Sequence, residues 1–143
     1  MTKNRPSPPA GIILSVLSAL VVVGMLTFAG PCGVHDDGTS GTCVWAARAA
    51  LGAGVVALIL SLVRIFELDE GERRGLDLGV GLVGALIACL PGTLIDLCAS
   101  QAMRCCAIMR PFCMVLGTLM ALVGIGDLVM RLLRLRKRPP ASA

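Results

Sequence analysis

Seven cysteines in 143 residues are the most reactive groups this chain offers, and their positions are grouped. Cys32 and Cys43 bracket the polar stretch GPCGVHDDGTSGTC. Cys98, Cys105, Cys106 and Cys113 crowd a second stretch, and Cys89 stands apart. Thiols grouped in this way support three chemistries. In an oxidising compartment Cys32, Cys43, Cys98, Cys105, Cys106 and Cys113 are candidates for structural disulfides, with the connectivity left open. A low-pKa thiol beside a resolving partner would instead make the chain a thiol–disulfide oxidoreductase of the cell envelope. Cys105 and Cys106 are adjacent, however, and do not form a CxxC. Soft-metal binding is the third chemistry, because His35, Asp36, Asp37, Met103 and Met109 lie near these thiols and would suit copper or zinc. The paired CxxC spacing of a zinc site is missing, so the metal ligands stay unassigned.

No nucleophile elbow, phosphate loop or HExxH motif accompanies the cysteines, so an enzyme is not the favoured reading and no cofactor is expected. Nucleic acid is not an expected partner either. The net charge is +4, but five basic residues (Arg131, Arg134, Arg136, Lys137, Arg138) directly follow an apolar run, as membrane anchors do.

The elements that must carry these thiols follow from composition. Hydrophobic residues make up 56% of the chain and charged ones 15%, too apolar for so small a globule to bury internally. Four uncharged or nearly uncharged runs stand out, at 11–29, 44–63, 78–95 and 112–130. At about 1.5 Å per residue each approaches the roughly 30 Å hydrocarbon core of a bilayer. Such uniform runs suit helices and not the alternating strands of a barrel. The expected fold is therefore an all-α membrane protein, a four-transmembrane-helix antiparallel bundle over 11–134. Residues 1–10 are expected to be a disordered cytoplasmic N-terminus and 135–143 a basic cytoplasmic tail.

Orientation follows from the basic residues. Lys3, Arg5, Arg64, Arg73, Arg74 and the five tail residues share one side, against Arg48, Arg104 and Arg110 on the other. The richer side faces the cytoplasm, placing the chain in the cell membrane with both termini inside (N-in/C-in) and six cysteines outside. A cleaved signal peptide over the first run, or a lipidated Cys32, fits less well. The run is longer than a signal core, and Pro31 does not suit lipidation. Small residues mark expected packing faces: Ala49, Ala53, Ala57 and Ser61 in the second run, widened by Gly52 and Gly54; Gly75 and Gly79 leading into the third, continued by Gly81 and Gly84; and Gly117, Ala121 and Gly124 in the fourth. The same faces would serve a homo-oligomer. Asp77 and Asp96 are expected at helix ends near water, and Asp127 beside Arg131 one turn later.

The segment PCGVHDDGTSGTCVWAARAALGAG, with its Cys-Gly, its later Cys closely followed by Trp and its glycine-rich helix, resembles an uncharacterised family of small bacterial membrane proteins. LIACLPGTLIDLCASQAMRCCAIMRPFCMVLG is similar to the same family. The positions that match are Cys32, Gly33, Cys43, Trp45, Pro91, Cys98, Met103, Cys105 and Pro111. That family often places Met before the second Cys and His after it; here Thr42 and Val44 stand instead, and Cys106 and Cys113 are additions. The resemblance implies the four-helix architecture and paired outer cysteines. It also implies proximity to exporter-type permeases, with no established activity. The expected function is a structural or accessory subunit packed beside a larger membrane partner.

Overall fold

The computed structural model describes residues 9–30, 42–66, 70–95 and 105–136. They form four α-helices: α1 (Pro9–Thr27), α2 (Thr42–Val63), α3 (Glu70–Cys89) and α4 (Arg110–Arg136), the last entered through a π-helical turn at Cys105–Met109. Among the described residues no strand forms. Segments 11–29, 44–63 and 112–130 are therefore helical nearly as expected, with boundaries moved by one to a few residues.

Three helices are long and apolar enough to cross a membrane: Ala10–Thr27, Thr42–Val63 and Ala107–Met130, with mean hydropathies of 2.4, 2.1 and 2.1. Their hydroxyls would be orphaned in hydrocarbon, and the backbone absorbs them. Ser15, Ser18 and Thr27 donate to the carbonyls of Gly11, Leu14 and Val23 at 2.8–3.0 Å, each four residues back.

The third helix departs from expectation. It covers 70–89 instead of 78–95, beginning in charged sequence and stopping before Pro91. Proline cannot donate the next helical bond, and the chain turns instead. Leu94 N–H donates to the Cys89 carbonyl and Gly92 N–H to the Ile95 carbonyl, at 3.1 and 3.0 Å. Gly92 sits at φ +90°, a conformation side chains rarely tolerate.

α1 packs on α2, α2 on α3, α3 on α4, and α4 returns to α1, closing a ring. Contacts along each pair run in opposite chain directions. Gly54 meets Val21 while Arg64 meets Gly11, and Gly117 meets Ala88 while Gly124 meets Asp77. The α3–α4 seam is the tightest. A Cβ on Gly117 would come within 2.6 Å of the Ala88 nitrogen and the Gly84 oxygen, so the backbones themselves are in contact. Gly117, Ala121 and Gly124 thus pack as expected, against Gly81 and Gly84 of the expected α3 face. Gly75 has open space around it and Gly79 only an ordinary contact with Leu60. On α2 the buried stripe is Cys43, Ala46, Ala47, Ala50, Gly54, Ala57 and Ser61, with Ala49 exposed, a rotation from the expected face.

Candidate functional site

Each helix buries one stripe, and the stripes end in different chemistry at the two ends of the bundle. On α2 the stripe passes Ala57 and Ser61 to reach Arg64. A last turn tightened by the Arg64 N–H bond to the Leu60 carbonyl (3.1 Å) keeps Arg64 on that face. On α3 the stripe of Ile87, Gly84 and Val80 leads to Asp77, and on α4 that of Met120 and Gly124 leads to Asp127. α1 contributes Gly11.

These four residues meet. Arg64 Nε lies 2.6 Å from Asp77 Oδ1, and one Arg64 terminal nitrogen donates to Asp77 Oδ2 at 3.2 Å. The same nitrogen pairs with Asp127 Oδ2. The other terminal nitrogen, Nη1, lies 3.3 Å from where a Gly11 Cβ would stand, so the guanidinium fills the space that glycine leaves. The Arg64 and Asp77 side chains are 3% and 0% exposed, which decides that this is an interior ion cluster. The expectation that Asp77 sits near water is corrected: α3 begins two turns earlier than its apolar run, which draws Asp77 inside. Asp127 pairs across the bundle with Arg64, and the Arg131 side chain lies outside the described residues. Charges this far from water persist only when paired, and one guanidinium joins α2, α3 and α4.

The opposite end is lined by sulfur. Met25, Cys43, Met109 and Cys113 are all buried there. Cys113 Sγ and Met25 Sδ are 4.0 Å apart, and Phe28 and Phe112 stack edge to face beside them with centroids 5.2 Å apart. Cys43, Cys89 and Cys113 are not bridged, and the expectation of a disulfide at Cys43 and Cys113 is corrected: no cysteine among the described residues lies at bridging distance from another. Cys32 and Cys98 lie outside the described residues, as do the side chains of Cys105 and Cys106. Among the described residues no group of three His, Cys, Asp or Glu side chains could hold a metal ion.

Residues 14–130 match the family model described as Domain of unknown function (DUF4418). The chain belongs to that family. The matched span takes in both end clusters apart from Gly11, and it bears out the resemblance read from the sequence. No curated protein and no solved structure matches the chain.

The positions that carried the DUF4418 resemblance divide by location. Cys43 is buried at the start of α2. Trp45 points outward with the Arg48 guanidinium 5.5 Å from its ring centroid, as an interfacial aromatic would. Pro91 is buried and ends α3, while Pro111 is exposed where the π-helical turn passes into α4. Cys32, Gly33, Cys98 and Met103 lie outside the described residues, and of Cys105 only the backbone is described.

Chemically, the charge cluster is a clamp and the sulfur end a buried cluster of soft side chains. Burial makes Cys43 and Cys113 poorly placed to attack a disulfide on another protein. Sequence reasoning missed Arg64 as the hub. Its signal was available in the stripe spacing 57, 61, 64, which meets acids at 77 and 127 on neighbouring helices.

Proposed function

We propose that the chain is a four-span cytoplasmic-membrane protein with both termini inside, acting as a structural or accessory subunit beside a larger membrane partner such as an exporter-type permease. The observation that carries this reading is how its polar groups are used. Arg64 joins Asp77 and Asp127 inside the bundle, holding helices together instead of lining a path. That pairing also lets α3 serve as the fourth span, since its Asp77 enters the bundle already matched. The outer surface remains apolar. On α4 a shallow groove lined by Thr118, Leu122, Ile125, Gly126 and Val129 faces away from the bundle. Gly126 has nothing within 4 Å of its Cβ position, room into which a partner's helix fits.

Capture in mild detergent through a C-terminal tag tests the proposal. A multi-span protein should co-purify in fixed ratio with the wild type and be lost from Gly126→Leu, which leaves the bundle interior untouched. A second copy of the chain in the groove would show as a homo-oligomer instead. A strictly monomeric, partner-free protein with an activity of its own contradicts the accessory role.

A further inference from the structure

The sulfur end of the bundle brings soft donor atoms from distant parts of the chain into contact, with the Cys113 thiol directed at the Met25 thioether. Two sulfurs bound to one ion at about 2.3 Å each, with a trigonal angle between them, lie about 4 Å apart. Cys113 Sγ and Met25 Sδ are 4.0 Å apart. They come from helices that lie far apart in sequence, and both belong to the buried core. Met109, the last residue of the π-helical turn that leads into α4, stands four residues before Cys113 and is fully buried. Residues four apart on a helix are neighbours, and the unbranched methionine side chain adapts its reach easily. One thiol and two thioethers thus share the buried core at this end, from α1, α4 and the turn that leads into α4, with Phe112 packed against that core.

We infer that Met25, Met109 and Cys113 form a buried site for a soft monovalent ion, Cu(I) or its analogue Ag(I). The charge balance selects the ion. Binding replaces the Cys113 thiol proton, which leaves to water, so Cys113–SH + M⁺ becomes Cys113–S–M + H⁺. The thiolate and the monovalent ion cancel, and both thioethers are neutral, so the filled site carries no net charge into an apolar interior. A divalent ion such as Zn(II) would leave one uncompensated positive charge there, at a cost that interiors do not bear without further ligands. Thioethers also favour Cu(I) over harder ions. The inference concerns metal and is independent of the accessory role proposed above.

The test uses the full chain with Cys32, Cys89, Cys98, Cys105 and Cys106 replaced by Ser and the buried Cys43 by Ala, so that Cys113 is the one thiol left, purified in detergent and titrated with Ag(I), then with Cu(I) under reducing conditions. One ion per chain should survive desalting and give a thiolate-to-metal absorption band, while Zn(II) should wash off. Cys113→Ser should abolish the band. Met25→Leu and Met109→Leu, which conserve volume, should each weaken binding by more than about tenfold, the least that losing even an outer-shell partner costs. If the serine-substituted chain does not fold, Met25→Leu in the otherwise native chain should lower the tightly held silver by one ion. Retention unchanged by Met25→Leu and Cys113→Ser, or no ion retained at all, overturns the assignment.

Discussion

Arg64 is the residue on which the charged end of the bundle depends. Its guanidinium answers two carboxylates, one of them fully buried. Removing the cation leaves Asp77 charged and unmatched, and breaking a buried pair from one side costs about 3–5 kcal/mol. Arg64→Met should therefore lower unfolding stability by about that amount, read as a shift in the midpoint of denaturation in bicelles. The triple change Arg64→Met, Asp77→Leu, Asp127→Leu removes all three charges together and should recover most of the loss, because matched apolar groups replace buried ion pairs at little cost. A triple variant no better than Arg64→Met would mean that the cluster does more than balance charge. Its members were visible in the sequence as single charges flanking apolar runs. Their meeting was not, because each run taken alone places its charge at the water boundary; only the pairing of three helix ends brings them inside.

At the scale of the helix, the α3–α4 seam sets the fit. Gly117 and Gly84 let two backbones touch, so a methyl at either has nowhere to go. Gly117→Ala should cost about 1–3 kcal/mol through overpacking. Gly52→Ala, at a position with open space around it, should be neutral or gain up to about 1 kcal/mol from helix propensity. Equal responses at the two sites, measured by the same denaturation, would show that the seam is not close-packed. Glycine and alanine spacing made it legible that small-residue faces exist, and Gly117, Ala121 and Gly124 pack as that spacing implies. Gly81 and Gly84 of the α3 face answer them, whereas Gly75 and Gly79 do not, and where that helix begins was not legible. A hydropathy run puts its start after Asp77, whereas the charged segment 70–77 continues the same helix, because Arg64 satisfies the one acid that enters the core. The rotation of the α2 stripe has a similar cause. Ala49, Ala53 and Ala57 share a spacing, but Gly54 and Ala50 are the positions that face α1 and its Val21.

For the whole molecule, composition alone established a helical protein that belongs in lipid, and three of its helices meet the length and apolarity a crossing demands. The fourth crossing rests on α3. At 20 residues it measures about 30 Å end to end, its charged first turns included, so a crossing depends on Asp77 staying paired inside the bundle. The disulfide chemistry expected of the outer cysteines belongs to the same frame, since it requires residues 31–41 and 96–104 to share one oxidising side. Whether α3 crosses therefore decides the orientation, the cysteine compartment and the accessory role together. Single-cysteine chains labelled in intact cells with a membrane-impermeant maleimide measure this directly. One chain keeps only Cys98 and the other carries only Leu68→Cys. With α3 spanning, Cys98 labels in intact cells and residue 68 labels only after permeabilisation; equal labelling of both from one side would contradict the four-span bundle.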